Sequence, residues 1–457
     1  MRLPFLNRQK EMERIEESIR SESAELIVVY GRRRLGKTRL LRRVVNQNDI
    51  YFMADRSEKA IQLNAMAVEI GRIVPSFDQV EYSTWQALFS TLNSRVEKHL
   101  CLVLDEFPYL VQSAPELPSV IQKVVDSPDN KISLVLCGSS QRMMQGFVLD
   151  SSAPLYGRAT EVVKIRPMKA SWASKALGLR GISAVEAYSV WGGVPRYWEL
   201  ASRFPDLETA IKGLVFDPDG ILHNEPFGLL LDDMRGLAQS HSLLFLIANG
   251  HHRLSKISSR LGKNASSLTR PLTNLIELGY LKRELPFGES LKSTKRTLYM
   301  LIDPFLIFWY RFVQKNRSLL EQDLVDEVYA EFEKAFPQHV SGVWEELARN
   351  SVSALRIADI SWKPAQRWWG KGKDGREMEI DVVAESFDGC HLLLGEAKWE
   401  QNSDLNSIKI KLMQNAENLP FVKDKKLTFA YWLKSIDKSS FPDSLIYLPN
   451  DIIVPPE

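Results

Sequence analysis

The sequence predicts an α/β protein built on a parallel sheet, and three observations predict it. Short apolar runs at Leu26–Tyr30, Ile50–Met53, Leu100–Leu104, Ile132–Cys137 and Glu161–Ile165 alternate with amphipathic helical patterns. Such alternation is what strands joined by helical crossovers produce. Several of the runs are nearly unbroken in apolar residues, as strands covered on both faces require. Between the first run and the helical pattern Arg39–Arg43 stands Gly31-Arg32-Arg33-Arg34-Leu35-Gly36-Lys37-Thr38, a phosphate-binding P-loop in strand–loop–helix context.

The chemistry of that loop follows from its residue types. Gly31 and Gly36 let the backbone curl until its N–H groups face phosphate oxygens, Lys37 reaches the β- and γ-phosphates, and the Thr38 hydroxyl can ligate Mg²⁺. ATP with Mg²⁺ is the expected cofactor. The third run ends in Asp105-Glu106, two carboxylates at a strand's C-terminal tip. Asp105 can help hold Mg²⁺ there, and Glu106 can orient or deprotonate the attacking water. The fourth run ends in Gly138-Ser139-Ser140, which puts the Ser139 hydroxyl where a neighbouring strand tip could sense the γ-phosphate, although such a tripeptide is also an ordinary turn. Arg32, Arg33 and Arg34 could contact phosphates, a partner or DNA, or project into solvent.

Composition frames the remainder. At roughly 150 residues per domain, 457 residues make about three domains, each able to bury a core. Lys and Arg number 59 against 57 Asp and Glu, a net charge of +2, so nucleic-acid binding must come from local patches. Cys101, Cys137 and Cys390 form neither a disulfide framework nor a Cys-x-x-Cys pair, and a reducing cytoplasm is expected. No apolar run reaches membrane-spanning length and no charged-then-apolar leader opens the chain, so neither a membrane span nor a secretion signal is expected.

Several spaced motifs of the first 230 residues resemble the archaeal-type ATPase family, within the AAA+/STAND-like P-loop ATPases. Phe5-Leu-Asn-Arg8-Gln-Lys-Glu11 resembles the family's N-terminal segment, Gly31–Thr38 its basic P-loop, Asp105–Tyr109 its Walker B motif and Gly138–Ser140 its sensor strand. Leu155-Tyr-Gly-Arg158 is similar to its core-closing arginine motif, and Gly192-Gly193-Val194-Pro195 to its lid motif. The resemblance implies that Arg8, Arg34, Arg39 and Pro195 lie around the nucleotide. It also implies a sensor or finger role for Arg158, the latter requiring a homo-oligomer.

From about residue 235 to 315 the pattern becomes helix, helix, helix, wing: Ser242–Asn249, Leu254–Gly262 and Ser266–Gly279, then two strand-like runs around Pro286-Phe287-Gly288. That order suits a winged helix-turn-helix. In the third helix Leu268, Leu272, Leu275, Ile276 and Leu278 would face the core, leaving Ser267, Arg270 and Thr273 among the exposed positions. With Arg283, Lys295 and Arg296 on the wing they are the expected DNA contacts. Contact with a protein partner is the other use of such a unit. Leu298–Phe312, aromatic and broken by Pro304, reads as an apolar hinge packing the wing onto the C-terminal segment.

That last segment carries a second constellation. Glu345 sits on a helical pattern, Asp381 starts an apolar strand, and Glu396 and Lys398, two apart at the end of Leu392–Lys398, share one strand face. Two carboxylates on neighbouring strands can hold Mg²⁺ or Mn²⁺, with the lysine orienting the nucleophile or stabilising developing charge. The pattern resembles the PD-(D/E)xK restriction-endonuclease-like fold. By that resemblance Asp381 and Glu396 are metal ligands, Lys398 the catalytic lysine and Glu345 a helical acidic residue assisting them; Ile380 stands where a Pro is frequent. Trp368-Trp369 could stack bases or belong to the core.

The expected division is an ATPase core at 1–168, a helical lid at 169–232, the winged helix at 233–315 and the nuclease-like domain at 316–457. The expected activity is ATP hydrolysis coupled to DNA binding and metal-dependent phosphodiester cleavage. The alternative is an ATP-dependent regulatory switch, akin to origin-recognition or STAND proteins, whose last domain docks without cutting.

Overall fold

The computed structural model describes residues 3–233, 236–292, 294, 296–401, 403–422 and 424–456. Five strands, β1 (Leu26–Tyr30), β2 (Ile50–Met53), β3 (Leu100–Asp105), β4 (Ile132–Gly138) and β5 (Glu161–Lys164), form a sheet in the order β2-β3-β4-β1-β5. Every pairing is parallel. Side chains alternate across a strand, so Ile27 and Val29 enter one core with Leu40 and Leu41, while Leu26 and Val28 enter the other with Leu63 and Trp85. All five residues of β1 are buried, which explains its unbroken apolar run.

Helices between Ala170 and Asp233 come next, then a helical trio, Leu237–Ala248, Leu254–Leu261 and Ala265–Glu277. An antiparallel hairpin of β6 (Leu281–Glu284) and β7 (Leu298–Leu301) closes this unit. In the third helix Leu268, Leu272 and Leu275 are buried while Ser267 and Arg270 are exposed. The aromatic stretch after β7 is an internal seam, with Phe305, Phe308, Trp309 and Tyr310 buried and Phe308 packed edge-on against Phe332 at 5.5 Å between centroids.

A second sheet, in the order β12-β11-β10-β9-β8, contains β8 (Gln366–Lys371), β9 (Glu377–Glu385), β10 (His391–Lys398), β11 (Lys426–Leu433) and β12 (Leu445–Tyr447). The β8-β9-β10 pairings are antiparallel and β10-β11-β12 parallel. The long helix Val325–Ser351 contributes Trp344 to the core on one face, and Leu405–Asn418 contributes Leu412 to the core on the other. Trp368 and Trp369 belong to the interior, Trp368 packing against Phe421 at 5.7 Å. Among the described residues no helix is long and apolar enough to cross a membrane.

His339, on the long helix, is buried and donates its Nε2–H to the Ser189 carbonyl at 2.9 Å. Burial, reinforced by the charge of Arg311, pushes its pKa down to about 4. The unfolded imidazole protonates near 6.5, so the unfolded state binds the extra proton first. Stability held above that pH is therefore lost as pH falls toward 4. The melting temperature is expected to drop from pH 6.5 to 4.5, and His339→Gln to flatten part of that slope.

Candidate functional site

The P-loop leaves β1 at the C-terminal end of the sheet. A Cβ on Gly31 would lie 2.4 Å from the Ile165 carbonyl oxygen, and Gly36 has φ 90°, so both positions demand glycine. Lys37 is buried and donates to the carbonyls of Gly31 at 2.8 Å and Arg32 at 3.1 Å. Thr38 Oγ1 donates to Asp105 Oδ2 at 2.7 Å, and the Tyr51 hydroxyl to the same oxygen at 2.5 Å. Glu106 has φ 55°, a left-handed backbone that costs a non-glycine residue about 1–3 kcal/mol. It accepts from Ser139 Oγ at 2.8 Å, which ties the tips of β3 and β4 together. Hydroxyl, two carboxylates and ammonium thus gather as an Mg²⁺–triphosphate site needs.

Each P-loop arginine has a protein partner. Arg32 is buried and pairs with Asp303 Oδ2 at 2.7 Å, lying over the Tyr280 ring. Arg33 donates to the Tyr109 hydroxyl at 3.3 Å, and Arg34 pairs with Glu225 Oε2 at 2.9 Å. Glu225 also accepts from the Tyr197 hydroxyl at 2.9 Å; burial raises its pKa and Arg34 opposes the rise. Asp303 caps the helix Pro304–Phe308 through the Phe305 N–H at 2.9 Å. A Cβ on Gly192 would meet Asp303 Oδ1 at 2.8 Å, and one on Gly193 the Met168 carbonyl oxygen at 2.3 Å. The paired glycines before Pro195 therefore admit close chain approach. Pro195 opens the helix Pro195–Ala201 that carries Tyr197.

Arg8 is buried and joins Glu11 at 2.9 Å and the Arg166 carbonyl at 2.6 Å. Arg39 and Arg43 lie over the Phe5 ring, holding the N-terminal segment against the helix that leaves the P-loop. Arg158 is elsewhere. Its guanidinium pairs with Asp126 at 2.7 Å, and it precedes β5 where Thr160 N–H bonds the Leu26 carbonyl. That is the N-terminal edge of the sheet, about 16 Å along β1 from the P-loop at 3.3 Å per residue. The expected sensor contact within this chain is thereby corrected. The tie at the sheet's active end is Gln141, whose Nε2 donates to the Leu278 carbonyl at 2.6 Å, linking the tip of β4 to the third helix of the trio.

Breaking the Arg32–Asp303 pair would strand a buried cation. Asp303→Asn is expected to destabilise the fold by about 3–5 kcal/mol, measured by denaturant unfolding; a loss under about 1 kcal/mol would mean that Arg32 finds another partner.

The second constellation gathers on β9 and β10. Asp381 and Glu396 are both buried. Lys398 Nζ lies 2.6 Å from Glu396 Oε1 and 3.5 Å from Asp381 Oδ2, and Asp381 Oδ2 also accepts from the Ala397 N–H at 3.0 Å. Burial and the Asp381 charge push Glu345 up to about 7 and raise Glu396 as well. Despite burial, the Asp381 and Glu396 carboxylates raise the pKa of Lys398. Arg349, which carries no sequence motif, donates to the Asp381 carbonyl at 3.0 Å and to Glu346 at 3.0 Å, and Glu346 pairs with Lys282 of β6 at 2.7 Å. Among the described residues no three His, Cys, Asp or Glu side chains form a ready-made metal cage. The donor set is the Asp381–Glu396 pair with Glu345 alongside, hard oxygens under excess negative charge, which suits Mg²⁺ or Mn²⁺.

Of the expected DNA contacts, Ser267, Arg270 and Arg283 are exposed, and Thr273 is half-buried with its Oγ1 3.4 Å from Arg283. Lys295 lies outside the described residues. Arg296 is exposed as well; it pairs with Glu289 and donates to the Trp369 carbonyl at 2.9 Å, which also ties the hairpin segment to β8.

Comparison with known proteins agrees with the P-loop site. Residues 5–200 match a family described as an ATPase domain predominantly from Archaea. Residues 309–410 match archaeal and bacterial proteins of unknown function. An uncharacterized protein of Methanocaldococcus jannaschii, MJECL04, is 30% identical over 456 residues, covering 97% of this chain and 98% of that protein. An uncharacterized ATP-binding protein of the same organism, MJ0423, is 41% identical over 46 residues, 10% of this chain and 78% of that protein. The Walker-type ATPase PABY2304 of Pyrococcus abyssi has a similar fold, with TM-score 0.51 and 20% identity over 67% of this chain and 96% of that one.

Proposed function

Since this chain belongs to the archaeal-type P-loop ATPase family, we propose that it binds and hydrolyses ATP with Mg²⁺ to control DNA binding and metal-dependent phosphodiester cleavage. In this reading 1–168 is the ATPase core, 169–232 the lid, 233–315 a winged helix and 316–457 a nuclease-like domain. The observation that carries the reading is the convergence of Asp381, Glu396 and Lys398, with Glu345 beside them, on one face of the second sheet.

In the ATP site Gly31–Gly36 presents backbone N–H groups, Lys37 exchanges its loop carbonyls for phosphate oxygens, and Thr38 with Asp105 would hold Mg²⁺. Glu106, held by Ser139, orients water for attack on the γ-phosphate. Arg32 and Arg34 already bridge the P-loop to Asp303 and Glu225, so a triphosphate competes with those carboxylates and its binding is felt in the lid and hinge. In the second site Asp381 and Glu396 would hold Mg²⁺ or Mn²⁺, which polarises the scissile phosphate and lowers the pKa of bound water. Lys398 then stabilises the developing negative charge. Ser267, Arg270 and Arg283 offer polar and cationic contacts to DNA.

One observation favours the second reading, a regulatory switch with a docking module: Lys398 already bridges both carboxylates without a dication. The deciding experiment incubates the chain with supercoiled, linear, single-stranded and branched DNA in Mg²⁺ or Mn²⁺, with and without ATP. Cleavage lost in Asp381→Ala supports the nuclease. ATP-dependent DNA binding with no cleavage of any substrate establishes the switch.

A further inference from the structure

Between the β6–β7 hairpin and the long helix Val325–Ser351 lies a cavity of about 310 Å³. Neither the P-loop nor Asp381, Glu396 and Lys398 line it. Its volume falls within the range of small-molecule sites. Ile247, Met300, Ile307, Val343 and Leu347 give it apolar walls.

Its polar groups are unevenly satisfied. Glu346 is engaged by Lys282 and Arg349, and Glu284 by Arg367. Arg311 also lines the cavity, yet among the described residues no carboxylate pairs with it; its guanidinium lies only over the neighbouring Phe312 ring. Burial alone lowers its pKa, the sign of a cation without a counter-ion. By contrast Arg349, which lines the same cavity, and Arg32, Arg34 and Arg367 elsewhere each have a carboxylate. Tyr188 lines the same space, and its hydroxyl has no hydrogen-bond partner among the described residues. Gly342 stands at the mouth, inside a 27-residue helix, and a Cβ there would meet nothing within 4 Å. Glycine at such a position costs a helix about 1 kcal/mol relative to alanine. Here it keeps the mouth open.

We propose that this cavity binds a small organic carboxylate with an apolar body, Arg311 serving as its counter-ion and Tyr188 as a hydrogen-bond donor. One unpaired arginine matches one negative charge. A phosphate dianion would meet a single free cation and the repulsion of Glu284 and Glu346. The occupant would touch the lid through Tyr188, the hairpin through Met300 and the long helix through Val343, so it would fasten three parts of the chain together. The site stands whether or not the last domain cuts DNA.

The test uses the full chain and ω-phenylalkanoates from benzoate to 6-phenylhexanoate, each beside its neutral alcohol, read by calorimetry and thermal unfolding. At least one carboxylate is expected to bind with Kd below about 1 mM and to raise the melting temperature, its alcohol binding at least ~10-fold more weakly. Arg311→Gln is expected to lose at least ~10-fold in affinity. Gly342→Phe, placed where an added Cβ meets nothing within 4 Å, is expected to abolish binding without lowering the melting temperature. No binding by any carboxylate, alcohols binding as well, or wild-type affinity in either variant would overturn the proposal. If Arg311→Gln does not fold, Gly342→Phe decides it.

Discussion

Lys37→Ala is expected to lower ATP turnover by on the order of 10²–10³-fold, the loss typical when one preorganised charge contact to a developing anion is removed. The ammonium is buried in the loop and held, among the described residues, by the carbonyls of Gly31 and Arg32. It can therefore move to phosphate oxygens by exchanging one set of acceptors for another. Alanine leaves the loop's N–H groups in place but removes its central positive charge. The thermal stabilisation that ATP gives the wild type, about 2.7 kcal/mol at one hundred times Kd, should vanish with it. Glu106→Gln should separate binding from chemistry, keeping the ATP-induced stabilisation while turnover falls about 10²–10⁴-fold. Turnover surviving in Lys37→Ala would remove the P-loop from the mechanism.

Lys398→Ala should have the other large effect, lowering DNA cleavage about 10²–10³-fold while strengthening the dependence of stability on Mg²⁺. The lysine is at present the cation of the Asp381–Glu396 pair, at 3.5 Å and 2.6 Å. Without it two buried carboxylates face each other beside Glu345, whose pKa is pushed up to about 7. Like charges so placed resist ionisation together, and a dication relieves them. Melting temperatures with and without Mg²⁺ should thus differ more in Lys398→Ala than in wild type, and not at all in Asp381→Ala. If Mg²⁺ shifts neither protein, the constellation is a buried ion cluster with no metal to hold.

Arg158 and Asp303 mark the boundary of what could be read from the chain. Arg158 carries a motif, but a motif does not say at which end of a sheet its loop emerges, and here it emerges at the end away from this chain's own P-loop. Asp303 carries none, yet it pairs with Arg32 across 271 residues of sequence. Tyr51 similarly shares Asp105 with Thr38 from 54 residues away, and its sequence signal was only that of an apolar strand. Glu225, Gln141 and Arg349 are ordinary polar residues until folding places a carbonyl or an opposite charge beside them.

The sequence by itself determined the parallel sheet, the P-loop and the acidic strand tip, as well as the shared face of Glu396 and Lys398. All of these rest on local periodicity or on contiguous residues, whose geometry the backbone dictates within a few positions. Only the tertiary structure decided that the P-loop arginines are engaged by protein partners, that Arg296 also reaches the Trp369 carbonyl, that Trp368 and Trp369 are core, and that Arg311 faces a cavity without a counter-ion among the described residues. Those outcomes depend on which charges burial brings together and which it leaves unpaired, a property of packing between distant segments that no local pattern records.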